Sequence, residues 1–236
     1  MDASIPKRAM AAVGRFVLPP RCMVCGDEGH DGIELCEGCL ATLPRNDVHC
    51  QRCALPLVRD VVLCGACQKH PRPWDGIWVP FRYDTPIDRL ESRFKFGGSL
   101  AAGRTLSACW MRCDAPATLP QAIVPVPLHV SRLRSRGFNQ ALELIRPVAR
   151  RLGIPVLGHA LRRDRATQAQ SDLDAVTRAR NVHGAFVAEG MLPIDHVAVV
   201  DDGMTTGARL AACVHALHDA GAKRVDVWAL ARTGLF

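Results

Sequence analysis

Two adjacent acids followed by a loop of glycines and threonines form the most chemically loaded stretch of this chain. It is His196–Leu210, H-V-A-V-V-D-D-G-M-T-T-G-A-R-L. Val197–Val200, rich in β-branched residues, predict a short buried strand. Leu210, Val214 and Leu217 fall on one face of a helix that follows. The expectation is a strand ending in Asp201 and Asp202, a Gly/Thr loop, and a helix start, the place where α/β sheets bind ligands. Unpaired N–H groups at a helix start suit a phosphate, and Thr205 and Thr206 add hydroxyl donors beside them. Gly203 and Gly207 let the backbone approach an anion with no Cβ in the way. Carboxylates accept hydrogen bonds from vicinal hydroxyls, so the acid pair suits a sugar ring whose phosphate sits one step further on. That combination points to a ribose 5-phosphate.

The order of apolar strand, Asp-Asp, two loop residues and Thr-Thr-Gly resembles the phosphoribosyl diphosphate (PRPP) signature of type I phosphoribosyltransferases. The resemblance implies that Asp201 and Asp202 hold the ribose hydroxyls and are the catalytic candidates. It gives Gly203, Met204, Thr205, Thr206 and Gly207 the 5-phosphate, and it implies Mg²⁺ as the companion of PRPP. One position departs from the pattern. An aliphatic residue usually follows the acid pair, whereas Gly203 stands here, so a looser loop is expected.

A second chemistry is written in cysteine. Eight of the eleven cysteines form four C-x-x-C pairs: Cys22/Cys25, Cys36/Cys39, Cys50/Cys53 and Cys64/Cys67. Ten residues separate successive pairs, and the second quartet repeats the first at an offset of 28, with Leu35-Cys36 matched by Leu63-Cys64. Such repetition implies one small module used twice. A C-x-x-C turn aims two sulfurs at one ion, and two turns close a tetrahedral structural zinc site. Segments this short bury too little surface to fold without metal. A disulfide framework would need an export signal, which Pro6–Pro20 does not resemble. Two structural Zn²⁺ are therefore expected, paired within each quartet, with a cross-braced pairing as the alternative. His30, His49 and His70 are left without a ligand role, and Cys109, Cys113 and Cys213 read as apolar helix residues.

Length and composition bound what carries these groups. With 236 residues, 48% hydrophobic and 22% charged, the chain suits one ordinary domain and one small one. No apolar run is long enough to span a membrane, and a cytoplasmic protein is expected. The formal charge of +7 favours anionic partners. Eight thiolates around two zinc ions would reduce the surplus to about +3, so placement of cations matters more than their number.

The remaining elements follow from pattern. Lys69–Pro73 is a polar, proline-rich boundary, and I-W-V-P-F-R-Y before Thr85 reads as an edge strand. Thr85-Pro86 reads as an N-cap with proline at the first helical position, opening a helix that buries Ile87, Leu90 and Phe94. A second helix is predicted over Leu100–Met111, and another from Asn139 to Gly153 through Leu142, Ile145, Val148 and Leu152. Ile123–Leu128, Pro155–Leu157 and Val225–Leu230 read as strands. Lys95, at a helix exit, is placed to reach an anion. Arg132, Arg134 and Arg136 follow the Ile123–Leu128 strand and read as a loop whose forked donors match a diphosphate. Arg162, Arg163, Arg165, Arg178 and Arg180 form a second basic stretch, and the two together could instead track nucleic-acid phosphates.

F-V-L-P-P-R-C-M-V-C-G, F-K-F-G-G, V-P-V-P-L-H, R-L-R-S-R-G-F-N-Q-A, Q-S-D-L, R-A-R-N-V-H-G-A-F and V-D-D-G-M-T-T-G-A occur in this order. They resemble the ComF family, double-zinc-ribbon, phosphoribosyltransferase-like proteins named for competence and DNA uptake. The resemblance implies an α/β fold: an arm over residues 1–20, a double zinc ribbon over 21–70, and a phosphoribosyltransferase-like domain over 74–236. That domain would hold a mainly parallel sheet with helices on both faces. The function implied is that of a PRPP-binding, phosphoribosyltransferase-like protein acting in DNA uptake and natural transformation or in nucleotide metabolism. The alternative is a non-catalytic module that binds single-stranded DNA or senses PRPP, with the ribbons recruiting a protein partner.

Overall fold

The computed structural model describes residues 19–164 and 184–234. Most of the expected N-terminal arm lies outside the described residues. So do Arg165, Arg178, Arg180 and the Q-S-D-L and R-A-R-N-V segments. Two single-turn helices, α1 (Glu37–Ala41) and α2 (Gly65–Lys69), belong to the cysteine-rich segment. Next come β1 (Gly76–Trp78), β2 (Phe81–Arg82), α3 (Ile87–Lys95), α4 (Leu100–Met111) and β3 (Ala122–Pro125). The chain continues with α5 (Val130–Arg136), α6 (Gln140–Leu152), β4 (Leu161–Arg163) and β5 (Phe186–Ala188). It closes with β6 (His196–Met204), α7 (Ala208–Asp219) and β7 (Arg224–Arg232).

The main sheet has five strands in the order β1-β7-β6-β3, with β2 also on β7, and all its pairings are parallel. β4 and β5 form a separate antiparallel pair. The fold is thus mainly parallel α/β, with helices on both faces. Side chains alternate along each strand, and the alternation sorts two cores. Ala198, Val200, Trp228 and Leu230 pack against α3, α4 and α6. Val197, Val199, Val225 and Val227 pack against α7 and the β4–β5 pair. The cysteine quartets divide in the same way: Cys22 joins the first core, and Cys50, Cys53, Cys64 and Cys67 join the second.

Local rules explain most boundaries. Ser99 accepts the Ala102 N–H to open α4, and Asn139 accepts that of Leu142 to open α6, which ends at Gly153 with φ 71°. Four expectations need correction. The edge strand is split into β1 and β2 around Val79-Pro80, since proline cannot donate to the ladder. Pro86, not Thr85, occupies the N-cap of α3, and the Thr85 hydroxyl bonds Asp88 instead. Pro155–Leu157 makes one bridge, Val156 to Ile123, rather than a strand. β6 does not end at the acids but runs through Met204, because β7 extends to Arg232 and keeps pairing with it. No helix among the described residues is long and apolar enough to cross a membrane.

Candidate functional site

The acids lie near the carboxyl end of a central parallel strand, and strand alternation sends them to opposite faces. Asp201 meets α7, where Arg209 Nη2 stands 2.9 Å from its Oδ2. Asp202 meets α3, where Lys95 Nζ stands 3.1 Å from its Oδ2. Lys95 also contacts Glu91 Oε1 at 2.5 Å, one helical turn back. The backbone adds to this: Asp201 accepts the Asp202 N–H at 3.0 Å, and Asp202 accepts that of Gly203 at 2.8 Å. Past Met204 the chain turns through Thr205-Thr206-Gly207 into α7, with Gly207 in the left-handed region at φ 78°. A Cβ on Gly207 would come within 2.7 Å of Met204 Cε and 3.0 Å of the Trp74 ring. Glycine there is required by both conformation and space.

Burial gives the two acids different proton affinities. Asp201 is pushed up to about 7 by burial and by the neighbouring Asp202 charge, which together outweigh Arg209. Burial also acts on Asp202, but Lys95 and Arg209 overcome it and hold its carboxyl well below the ordinary range. Glu91, wholly buried, is raised by burial against the opposing pull of Lys95. Lys95 is raised, burial being outweighed by Asp202 and Glu91.

A cavity of about 240 Å³ opens at this strand end, lined by Asp201, Asp202, Thr205, Lys95 and Arg209. Arg132, Arg136 and Arg163 reach it from other elements, and Phe96, Val126 and Leu128 supply apolar wall. A smaller recess beside it is formed by Gly203, Met204, Thr206 and Gly207 together with Thr205 and Arg209. Burial lowers the proton affinities of Arg132 and Arg163, and each is lowered further by neighbouring arginines, Arg209 among them. Crowded cations of this kind favour an anion between them.

The arginine segment is not the loop that its alternate spacing suggested. It folds as α5, capped by the His129 ring at its start and by Gly137 with φ 78° at its end. Helical spacing puts Arg132 and Arg136 on the cavity side, while Arg134 is exposed and lines no part of it. Of the second basic stretch, Arg163 lines the cavity, whereas Arg162 is paired with Asp164 at 2.6 Å and Glu189 at 2.7 Å.

Two site residues escaped the sequence reading, and both left a signal. Arg209 stands in the first turn of α7, where a cation opposes the helix dipole and so asks for a local reason. Glu91 falls on the stripe of Ile87, Leu90 and Phe94, the buried face of α3. Its burial also accounts for Gly203: a Cβ there would lie 3.2 Å from Glu91 Oε1. An aliphatic residue at this position would press on the acid that holds Lys95 and require it to give by a few tenths of an ångström.

The cysteines assemble as two quartets, Cys22/Cys25/Cys36/Cys39 and Cys50/Cys53/Cys64/Cys67, with sulfurs within 4.8 Å of one another in each. The cross-braced pairing is excluded by this grouping. Sulfur separations of 3.5 Å for Cys25–Cys36 and 3.7 Å for Cys53–Cys64 fit a tetrahedral ZnS₄ centre, whose edges are about 3.8 Å for a Zn–S bond of about 2.3 Å. Backbone N–H groups point at the sulfurs, from Cys39 to Cys36 at 3.4 Å and from Cys64 to Cys50 at 3.3 Å. These are two Cys₄ zinc-binding sites. His30, His49 and His70 belong to neither quartet. Cys109 and Cys213 are buried in the cores, and Cys113 is half-buried beside Arg45.

Comparison with known proteins agrees with this architecture. The family model of the double zinc ribbon domain matches residues 13–68. Competence protein F of Haemophilus influenzae is 35% identical over 222 residues, covering 90% of this chain and 96% of the relative. DNA utilization protein YhgH of Escherichia coli K12 is 34% identical over 229 residues, 92% of this chain and 99% of the relative. Competence protein ComFC of Streptococcus pneumoniae is 25% identical over 230 residues, 90% of this chain and all of the relative. With likeness spanning nearly the full length, and with two Cys₄ ribbons preceding a parallel sheet whose acid pair faces a basic cavity, the chain belongs to the ComF family.

Proposed function

We propose that this protein binds PRPP at the end of β6 and acts as a phosphoribosyltransferase-like protein in competence or DNA utilization, the words that its relatives' names carry. One observation carries the reading. The acid pair, Thr205, Arg132, Arg136 and Arg163 border one cleft at the carboxyl ends of parallel strands, and the rest of the Thr205–Gly207 turn lines the recess beside it. A ribose 5-phosphate would place its phosphate on the turn, its hydroxyls on Asp201 and Asp202, and a diphosphate toward the arginines. In a transfer, these residues would position ribose C1 and stabilise charge as diphosphate leaves. Mg²⁺ would enter with the diphosphate and screen the charge that develops on it. Asp201 and Asp202 are already paired with Arg209 and Lys95, which leaves Mg²⁺ few free carboxylates on the protein here. The second reading, a binding module for single-stranded DNA, would use the same arginines without the sugar.

Calorimetry with PRPP, ribose 5-phosphate and inorganic phosphate tests the proposal. Asp202→Asn is expected to weaken PRPP about tenfold or more, since a charged hydrogen bond is worth ~1.5–3 kcal/mol, and to leave inorganic phosphate nearly unchanged. Equal losses for both ligands would reject sugar recognition. Single-stranded DNA binding that is lost in Arg132→Ala and Arg136→Ala, with no binding of PRPP, would favour the second reading.

A further inference from the structure

Matching backbone hydrogen bonds put the two ribbons in register. The Met23 N–H donates to the Glu34 carbonyl at 2.9 Å, and the Gln51 N–H to that of Val62 at 3.0 Å. Gly29 donates to the Pro20 carbonyl at 2.6 Å, and Leu57 to that of Val48 at 2.9 Å. Each bond of the second ribbon is its counterpart moved by 28 residues, the offset of the cysteine quartets. His30–Glu34 and Val58–Val62 are therefore the same loop in the two ribbons.

In the first ribbon this loop is seated on the body of the protein. Asp31 Oδ2 meets Nη2 of Arg112, the C-cap residue of α4, at 3.4 Å, and Ile33 packs against the core under α3 and α4. In the second ribbon Val61 stands where Ile33 does, and Arg59 where Asp31 does. The apolar anchor is kept and its charged neighbour is reversed, yet among the described residues no element covers them. Val58 is fully exposed, Val62 is 62% exposed, Val61 46%, and Val48 beside them 44%. One exposed apolar residue is ordinary, but three valines within five residues of a loop between zinc ligands mark a contact surface.

We propose that the Val58–Val62 loop docks a separate protein, one offering an apolar socket to Val58 and Val61 and a carboxylate to Arg59. Charge selects the partner. Between Arg45 and Arg72 the second ribbon carries five Lys and Arg against two acids, whereas Arg21–Glu37 of the first carries one against five. An acidic surface is thus drawn to the second ribbon and away from the first. A net charge of +7 opposes a second copy of the chain. A nucleic acid fits poorly, since the loop has no aromatic ring for a base and the charge of Arg59 is offset by Asp60 next to it. The loop covers only part of the ~800 Å² per partner that a stable interface buries, so the contact is a transient one anchored by two valines. The inference is independent of the ribose-phosphate reading.

A random-peptide library displayed on phage, panned on the full-length zinc-loaded protein, supplies the probes, and the selected peptides are synthesised and titrated by calorimetry. Enrichment of Asp and Glu beside large apolar residues is expected. Replacing both valines, Val58→Ser with Val61→Ser, is expected to weaken these peptides about tenfold or more. Arg59→Glu should weaken them similarly and turn a repeated selection toward Lys and Arg. Two zinc ions per chain in each variant would show that the ribbon is intact. Selected peptides no richer in acids than the starting library, or affinities unchanged in both variants, overturn the proposal. Dimerisation seen by light scattering and abolished by the paired valine substitutions would give the loop to a second copy and overturn the separate partner. Peptide binding that appears only after removal of residues 1–12 would overturn it too, in favour of the chain's own N-terminus.

Discussion

Asp201 and Asp202 are neighbours on the chain with opposite electrostatic fates. Asp202 takes Lys95 on one side and feels Arg209 on the other, so it stays ionised throughout the neutral range. Asp201 is pushed up to about 7, because burial and the Asp202 charge exceed what Arg209 returns. A carboxyl with that affinity gives up its proton between about pH 6 and pH 8, and the ionised form, with both oxygens accepting, binds two ribose hydroxyls more strongly than the protonated one. The affinity for ribose 5-phosphate should therefore rise with pH through that window, by about tenfold more than the affinity for inorganic phosphate. The phosphate groups of both ligands ionise in or near the same window, so Asp201→Asn separates their titration from that of the carboxyl. Asp201→Asn should flatten the difference, and dissociation constants measured at several pH values check it. An unchanged profile in the variant would assign the titration to another group. Asp201, Asp202, Thr205 and Gly207 were legible in the sequence because they are contiguous and their spacing alone brings them together. The partners Glu91 and Arg209 were not, because the face on which each acid emerges depends on how β6 pairs with β7.

Arginines on alternate residues point one way in an extended loop and another in a helix, and α5 shows what that difference does. Arg132 and Arg136 are one turn apart and share the cavity, whereas Arg134 faces outward with Leu133 and Val130. The local signal for a helix was weak. α5 is only seven residues long, carries no acid in its first turn, and has the His129 ring in place of the usual Ser, Thr, Asp or Asn cap. By contrast, α4 and α6 were readable because Ser99, Asn139 and Gly153 mark their ends by ordinary capping chemistry. The helical arrangement gives a direct expectation. Arg132→Ala and Arg136→Ala should each weaken diphosphate by about tenfold, the worth of one charge-assisted hydrogen bond, and Arg134→Ala should leave it within about twofold. Competition of diphosphate against labelled PRPP measures all three. A loss at Arg134 equal to the others would mean that the segment acts as the extended loop its spacing suggests.

At the scale of the molecule, the two ribbons are repeats in sequence but not in surroundings. The first contributes Cys22 and Leu35 to the core under α3 and α4, and its Cys25 is exposed. The second has all four cysteines buried, in the core that also holds Met204 and Trp74. Arg232, 4% exposed, ties this ribbon to the turn that follows β6: its Nε donates to the Cys53 carbonyl at 3.1 Å and its Nη1 to the Met204 carbonyl at 3.2 Å. Trp74 makes a second link, donating from Nε1 to the Arg52 carbonyl at 2.6 Å while its ring closes over Gly207. Among the described residues the first ribbon reaches the site through α3, where Arg93 donates to the Met23 carbonyl and Cys22 and Leu35 pack into the same core. Metal should accordingly leave the exposed site first under a chelator, and ligand affinity should fall only as the second ion leaves. Cys25→Ser is expected to retain one zinc per chain and PRPP affinity within about twofold. Cys64→Ser should lower that affinity about tenfold or more, because the buried hydrogen bonds from Arg232 lose a fixed anchor. Metal analysis and calorimetry on the same samples check both expectations. Equal losses in the two variants would show that the ribbons serve only general stability, and an intact affinity in Cys64→Ser would break the link drawn through Arg232.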